Sequence, residues 1–171
     1  MIIRREDKRD RDEVDVLIEE AFRDMPDSDH SEHLWVQRLR DSEVFIDDLS
    51  LVAELENRIV GHVLFTKIYV EEGSNSIEGL SLAPVSVLPA FQNKGIGSAL
   101  IKAGLKIGRE LNYPFCVLLG HEEYYPRFGF VKSEDYDISF PFDAPAENCM
   151  VLPFSDRGLE GVSGQVRYPV P

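Results

Sequence analysis

Apolar residues recur at helical spacing in three stretches of the chain and as strand-type runs between them. Val14, Leu17, Ile18, Ala21 and Phe22 predict an amphipathic helix, with Asp10-x-x-Glu13 as its capping signal and Pro26 breaking the pattern after it. A second helix is expected over about 31–40, with Leu34, Trp35 and Leu39 as its apolar side. The third shows Ile96, Leu100, Ala103, Ile107 and Leu111 at helical spacing, and Asn112-Tyr113-Pro114 stops it. Gly104 and Gly108 inside this helix each cost about 1 kcal/mol relative to Ala, which close contact with a neighbouring element would explain.

The strand signals surround these helices. Residues 2–5 start a short strand, and runs at 50–55 and 59–70 flank Glu56-Asn57-Arg58 as an antiparallel hairpin. A second turn, 71–76, leads into a strand from Ile77 to Val87, where Pro84 predicts a bulge or an edge at Ala83-Pro84-Val85. Phe115 to Leu119 is continuously apolar, as for a strand buried on both faces, so the third helix is the crossover of a βαβ unit. Residues 148–154 are read as the last strand, before a tail from Ser155 to Pro171 with few apolar positions. The class is therefore α/β in the broad sense, α+β included.

The segment joining strand to helix carries the chemistry. Val85-Ser86-Val87-Leu88-Pro89-Ala90-Phe91-Gln92-Asn93-Lys94-Gly95-Ile96-Gly97-Ser98 ends a β-type run in a polar, glycine-spaced turn that opens a helix. Glycines let the backbone approach an anion, and the unpaired N–H groups of a first helical turn point at it. A glycine pair that merely turns the chain, or lets a helix pack closely, is the plain alternative. Neither Gly-x-Gly-x-x-Gly nor a P-loop is present, because Lys94 precedes Gly95 and Ala99 follows Ser98.

The wording Gln92-x-x-Gly95-x-Gly97, preceded by Val87-x-Pro89, resembles the coenzyme A pyrophosphate loop of the GNAT superfamily of N-acetyltransferases. Tyr124-Tyr125-Pro126-Arg127-Phe128-Gly129-Phe130 is similar to the Tyr-x-x-x-Gly-Phe segment of the same superfamily. The likeness covers roughly residues 1–132, with specific motifs only between 80 and 130. It implies a mixed, centrally splayed β-sheet flanked by helices, with the strand opening at Ala83-Pro84-Val85. It implies acetyl-CoA as co-substrate, held by Gln92, Asn93, Lys94, Gly95, Ile96, Gly97 and Ser98. The main chain at Val85 and Val87 would contact the acetyl and pantetheine groups, and Tyr125 would be the general acid for the departing thiol. Taken alone, Tyr125 reads first as an aromatic core residue with its hydroxyl at an edge, and its position about 30 residues beyond the glycine loop favours the acid role. The first two helices would form the acceptor-side wall.

The chain also departs from the family pattern. Where many members carry an asparagine at the end of the fifth strand, this sequence has Leu118-Leu119-Gly120-His121. No motif names a base for the amine. Glu54, His62, Glu78, Ser81, Ser86 and Glu122 are the candidates, and a water chain is the alternative to all of them. His30 and His33 with Asp29 and Glu32 read as a solvated helix start, so no metal is expected. No Gly-x-Ser-x-Gly elbow supports a serine hydrolase.

Charge narrows the partners. Eighteen Lys and Arg against 31 Asp and Glu leave −13, which argues against sequence-independent nucleic-acid binding and favours a cationic acceptor. An anionic coenzyme then needs a local positive patch, for which Lys94, Lys102 and Lys106 are placed around the loop and its helix. The 171 residues suit one domain over 1–154 with a C-terminal tail over 155–171, either loosely ordered or packed on the domain or a neighbouring subunit. Cys116 and Cys149 read as buried thiols, and no run suggests a signal core or membrane span, so a cytoplasmic location without membrane association is expected. The expected function is direct acetyl transfer from acetyl-CoA to a primary amine by a monomer or homodimer. The alternative is a non-catalytic acyl-CoA-binding or protein-interaction module on the same fold.

Overall fold

Residues 1–169 are described by the computed structural model; Val170 and Pro171, the end of the expected tail, lie outside them. In chain order the elements are β1 (Ile2–Arg5), α1 (Arg11–Phe22), α2 (Glu32–Arg40), β2 (Phe45–Leu55), β3 (Arg58–Glu72), β4 (Asn75–Val87), α3 (Ile96–Glu110), β5 (Phe115–Leu119), β6 (Val131–Lys132), β7 (Ile138–Ser139), β8 (Cys149–Pro153) and β9 (Gly164–Arg167). Nine strands form one mixed sheet flanked by helices, in the order β1-β2-β3-β4-β5-β8-β6, with β9 joining β3 to β7. The pairs β4–β5 and β7–β9 are parallel. The chain makes two compact units, residues 1–66 with 83–107 and residues 67–82 with 108 onward.

In the first unit β1, β2 and β3 pair antiparallel, with Ile3 opposite Ala53 and Val52 opposite His62. The β2–β3 hairpin turns on Glu56 and Asn57, both at positive φ (50° and 62°), the backbone twist that a two-residue hairpin requires. Strand β3 is buried on both faces. On one, a Cβ at Gly61 would meet Leu100 and Ile96 of α3, and one at Gly104 would run into the Phe65 ring. Gly104 is thus the notch that admits the fully buried Phe65, a side chain worth about 1.5–3 kcal/mol of apolar burial. Helix α1 turns Val14, Leu17, Ile18 and Ala21 inward, at the predicted spacing.

In the second unit β5 pairs with β8 along its whole length, from Phe115↔Pro153 to Leu119↔Cys149, and with β4 at Leu80↔Cys116 and Ser81↔Val117. Phe115, Val117, Val151, Ile68, Val70 and Val166 share one core cluster. Gly79 leaves room for the Phe115 ring, and Gly108 faces Leu80 and Phe154. The tail supplies β9, antiparallel to β3 at Tyr69↔Arg167 and Val70↔Val166.

Three expectations change. The inward residues of α2 are Val36 and Arg40, whereas Leu34 and Trp35 are each 42% exposed, because Arg40 is drawn under the helix by two carboxylates. Asp10 does not cap α1 with its side chain; Asp7 caps the short turn before it, and Asp10 instead takes the Arg4 guanidinium at 2.7 Å. The Arg4 pair holds the Asp10 carboxyl below its usual range. Strand β4 continues through Pro84 with a cis Ala83–Pro84 peptide, and its pairing with β5 covers Leu80 and Ser81, ending ahead of the segment where an edge or bulge is expected. The last strand is β9, in the tail, and not the run at 149–153.

Candidate active site

The β4–α3 connection is fixed by hydrogen bonds to β3 and within itself. Leu88 N–H donates to Val60 O (2.9 Å), Phe91 N–H to Leu88 O (2.8 Å), and the Gln92 side-chain amide reaches back to Val87 O (3.0 Å). Asn93 (φ 61°) and Gly95 (φ 81°) are both left-handed, which curls the main chain around residues 92–95. Ala99 N–H donates to Gly95 O at 3.0 Å, so the amides just before it are those that a helix start leaves without intrahelical partners. Gln92, Asn93, Lys94 and Gly95 are exposed, Gly97 and Ser98 half-buried, and Ile96 turns its side chain into the core, leaving only its main chain outward. The Phe91 ring is flanked by two cations, Arg58 at 5.7 Å and Lys94 at 5.4 Å. Lys102 and Lys106 are exposed on α3. A local positive field with free amides at a helix N-terminus suits a phosphate-bearing ligand despite the net charge of −13.

In the second unit, Tyr125 opens a single 3₁₀ turn (Tyr125–Phe128) that ends in Gly129 at φ 99°. Its ring packs edge-on against Tyr124 (5.0 Å) and Phe130 (6.1 Å), and a Cβ on Gly120 would collide with it. Burial, with Tyr124 and Cys116 adding to it, pushes its hydroxyl up to about 12, so it keeps its proton throughout the neutral range. Burial likewise pushes the Cys116 thiol up and leaves it unreactive.

The base candidates separate clearly. Glu122 is exposed; Glu78 is exposed and accepts the Tyr69 hydroxyl at 3.2 Å; Glu54 is engaged by Arg4 at 2.9 Å. Ser81 is buried within hydrogen-bonding reach of the Tyr168 hydroxyl, which burial raises to about 12. Ser86 is buried with no partner for its hydroxyl among the described residues. His62 is fully buried, its Nε2 lying 3.0 Å from Ser50 Oγ, and burial followed by the Arg40 charge lowers its pKa to about 3. His33 Nε2 stands 3.0 Å from a Glu19 carboxylate oxygen.

The acetyltransferase (GNAT) family model matches residues 14–130. The chain belongs to the GNAT acetyltransferase family. An uncharacterized N-acetyltransferase of Escherichia coli, YjhQ, is 31% identical over 126 residues, 72% of this chain and 70% of that one. Another, E. coli YhbS, is 29% identical over 169 residues, 98% of this chain and 96% of that one. The crystal structure of E. coli YhbS in complex with CoA superposes with a TM-score of 0.87 at 27% identity, covering 98% and 88% of the two chains. A GNAT family acetyltransferase from Brucella melitensis in complex with acetyl-CoA gives 0.80 at 34% identity, covering 98% and 94%. The chain is an acetyltransferase on the GNAT fold.

Three groups escaped the sequence reading. Arg58 comes to the loop from the far end of a hairpin, and only strand pairing brings it there. Asn148 accepts the Gly120 N–H at 3.0 Å through its carbonyl, beside the end of β5 where the family asparagine is missing. Tyr168 sat in what read as a tail. None has a local signal, since each reaches its neighbour through long-range sheet pairing.

Proposed function

We propose that this acetyltransferase transfers the acetyl group of acetyl-CoA directly to a primary amine. The observation that carries the reading is the Gln92–Ser98 turn, whose left-handed Asn93 and Gly95 and open helix start form a cradle for a pyrophosphate. The bound ligands named for the E. coli and Brucella relatives support the same assignment. In this reading the amides of residues 92–98 hold the pyrophosphate, and the Val85 and Val87 main chain holds the thioester carbonyl and the pantetheine arm. The amine lone pair attacks the carbonyl carbon, the C–N bond forms as one N–H proton passes to a base or a water chain, and donors preorganised on the main chain stabilise the oxyanion. As the C–S bond breaks, Tyr125 gives its proton to the sulfur and is later reprotonated by solvent. A strongly acidic surface favours a cationic acceptor. The reaction takes place in a reducing cytoplasm, where the free thiols Cys116 and Cys149 persist.

The experiment is thiol release from acetyl-CoA across spermidine, glucosamine, Nα-acetyl-lysine amide and a peptide with a free N-terminus. Acceptor-dependent release by the wild-type protein, with acetyl-CoA affinity lowered at least tenfold in folded Gly97→Val, is the expected result. Unchanged affinity in Gly97→Val removes the loop assignment, and absence of release with every amine removes the amine reading.

A further inference from the structure

A buried polar chain runs through the first unit on the face of β3 opposite α3. The Arg40 side chain, 3% exposed, donates to Glu6 Oε1 at 2.5 Å and to Asp15 Oδ1 at 2.6 Å; the Glu6 side chain is 2% exposed. Ser50 Oγ donates to Glu6 Oε2 at 2.7 Å, and the same oxygen lies 3.0 Å from His62 Nε2. A serine hydroxyl has one hydrogen, and here the carboxylate takes it, so His62 Nε2 must be the donor in the second bond. That fixes the neutral Nε2–H tautomer and leaves Nδ1 a bare acceptor. It is fully buried and has no partner among the described residues. A buried acceptor lone pair without a partner is met by a donor from outside the described residues, and Ser86 Oγ on neighbouring β4 is the other buried side-chain atom without one.

The position of His62 says which donor. Leu88 N–H bonds Val60 O, and a Cβ on Gly61 would lie 3.3 Å from Ser86 O, so His62 is the β3 residue beside the Val85-Ser86-Val87 segment. Because Gly61 faces Leu100 and Ile96 of α3, the alternation of a strand turns His62 to the other face, where Glu6, Asp15 and Arg40 stand.

We propose that His62 is the proton acceptor for the incoming amine and that it passes the proton on through Ser50 to Glu6. The inference rests on the reading that the Val85 and Val87 main chain holds the thioester. As the amine nitrogen bonds to the carbonyl carbon, its N–H proton moves to the Nδ1 lone pair. The Nε2 proton moves to Ser50 Oγ, and the Ser50 proton moves to Glu6 Oε2. His62 ends in its other neutral tautomer and Glu6 as a neutral carboxylic acid, which returns its proton to solvent before the next turnover. Two carboxylates share the one Arg40 guanidinium, so the triad bears one uncompensated negative charge, which a single proton cancels. Burial and the Arg40 charge disfavour an imidazolium, so the ring relays the proton instead of keeping it.

The first test is ¹⁵N NMR of the histidine side chains in the unliganded protein at neutral pH, with His62 assigned from His62→Gln. Protonated Nε2 with bare Nδ1 is expected, and the opposite tautomer overturns the proposal. The second uses the panel amine that turns over fastest. His62→Gln should lose about 10²-fold in kcat/KM near neutral pH, while acetyl-CoA affinity by calorimetry stays within about twofold. Ser50→Ala and Glu6→Gln should each lose about tenfold or more, with Ser50→Thr restoring most of it, since only the conservative variant keeps the relaying hydroxyl. A proton inventory in mixed H₂O and D₂O should be curved for the wild-type protein and linear for Ser50→Ala, a change that loss of packing alone does not produce. Wild-type kcat/KM and inventory in His62→Gln or Ser50→Ala overturn the relay. Should His62→Gln not fold, Ser50→Ala decides, as it removes a single oxygen. If no amine turns over with the wild-type protein, the amine reading falls, and the tautomer measurement still decides the assignment at His62.

Discussion

Acid should unfold this protein partly through one residue. His62 titrates near 6.5 in an unfolded chain and at about 3 in the native one, because burial and then the Arg40 charge disfavour the imidazolium. The unfolded state therefore binds a proton that the native state refuses, and stability falls as pH drops through 6.5 until the native pKa is reached. Each pH unit in that window costs about 1.36 kcal/mol per proton. Between pH 7.5 and 5 the loss through His62 is about 2 kcal/mol, and by pH 4 about 3 kcal/mol, against a total stability of about 5–15 kcal/mol for a domain. Glutamine at 62 keeps an amide donor toward Ser50 and does not titrate. Urea unfolding followed by circular dichroism, at half-unit steps from pH 7.5 to 4.5, should show the wild-type and His62→Gln stabilities converging as pH falls, by about 2 kcal/mol at pH 5. Carboxylates such as Asp10 contribute to both proteins alike, so the difference isolates the histidine. Parallel curves over that range would show that His62 binds its proton equally in both states, and the argument from burial would fail.

Two further outcomes test the proposed site and the packing. Tyr125→Phe should lower kcat by about 10²-fold near pH 7 with acetyl-CoA affinity nearly intact, and the deficit should shrink toward pH 9, where a thiolate leaves unaided. A wild-type rate in the folded variant, by thiol-release kinetics, moves the acid elsewhere, with Tyr124 the first alternative. Gly104→Ala drives a methyl into the Phe65 ring and should destabilise by about 1–3 kcal/mol despite the better helix propensity of Ala, with Phe65→Leu recovering part of it in the double variant. Additive losses in urea unfolding would refute the contact.

Much of the fold was legible because local pattern and tertiary demand agree. The spacing of Val14, Leu17, Ile18 and Ala21 is the buried stripe of α1, and the apolar run 115–119 is a strand buried through its first four residues. The turn between β4 and α3 was legible for the same reason: left-handed Asn93 and Gly95 are a local backbone property, written in residues that tolerate it. Helix α2 shows the limit. Its letters put Leu34 and Trp35 on the apolar side, yet the burial of Arg40 decides which face turns inward, and that depends on Glu6 and Asp15, 34 and 25 residues away in the chain.

By itself, then, the sequence determined the elements whose period, caps and turns are encoded within a few residues, and with them the family, since its motifs are such local runs. Tertiary structure alone decided what depends on partners distant in the chain. It recruited 164–167 into the sheet as β9, brought Arg58 beside Phe91, set Asn148 at the end of β5, and assembled Glu6, Arg40, Ser50 and His62. A hydrogen bond or an ion pair carries no periodicity in sequence. Its energy depends on burial and on a distance of a few ångström, and both exist only once the chain has folded.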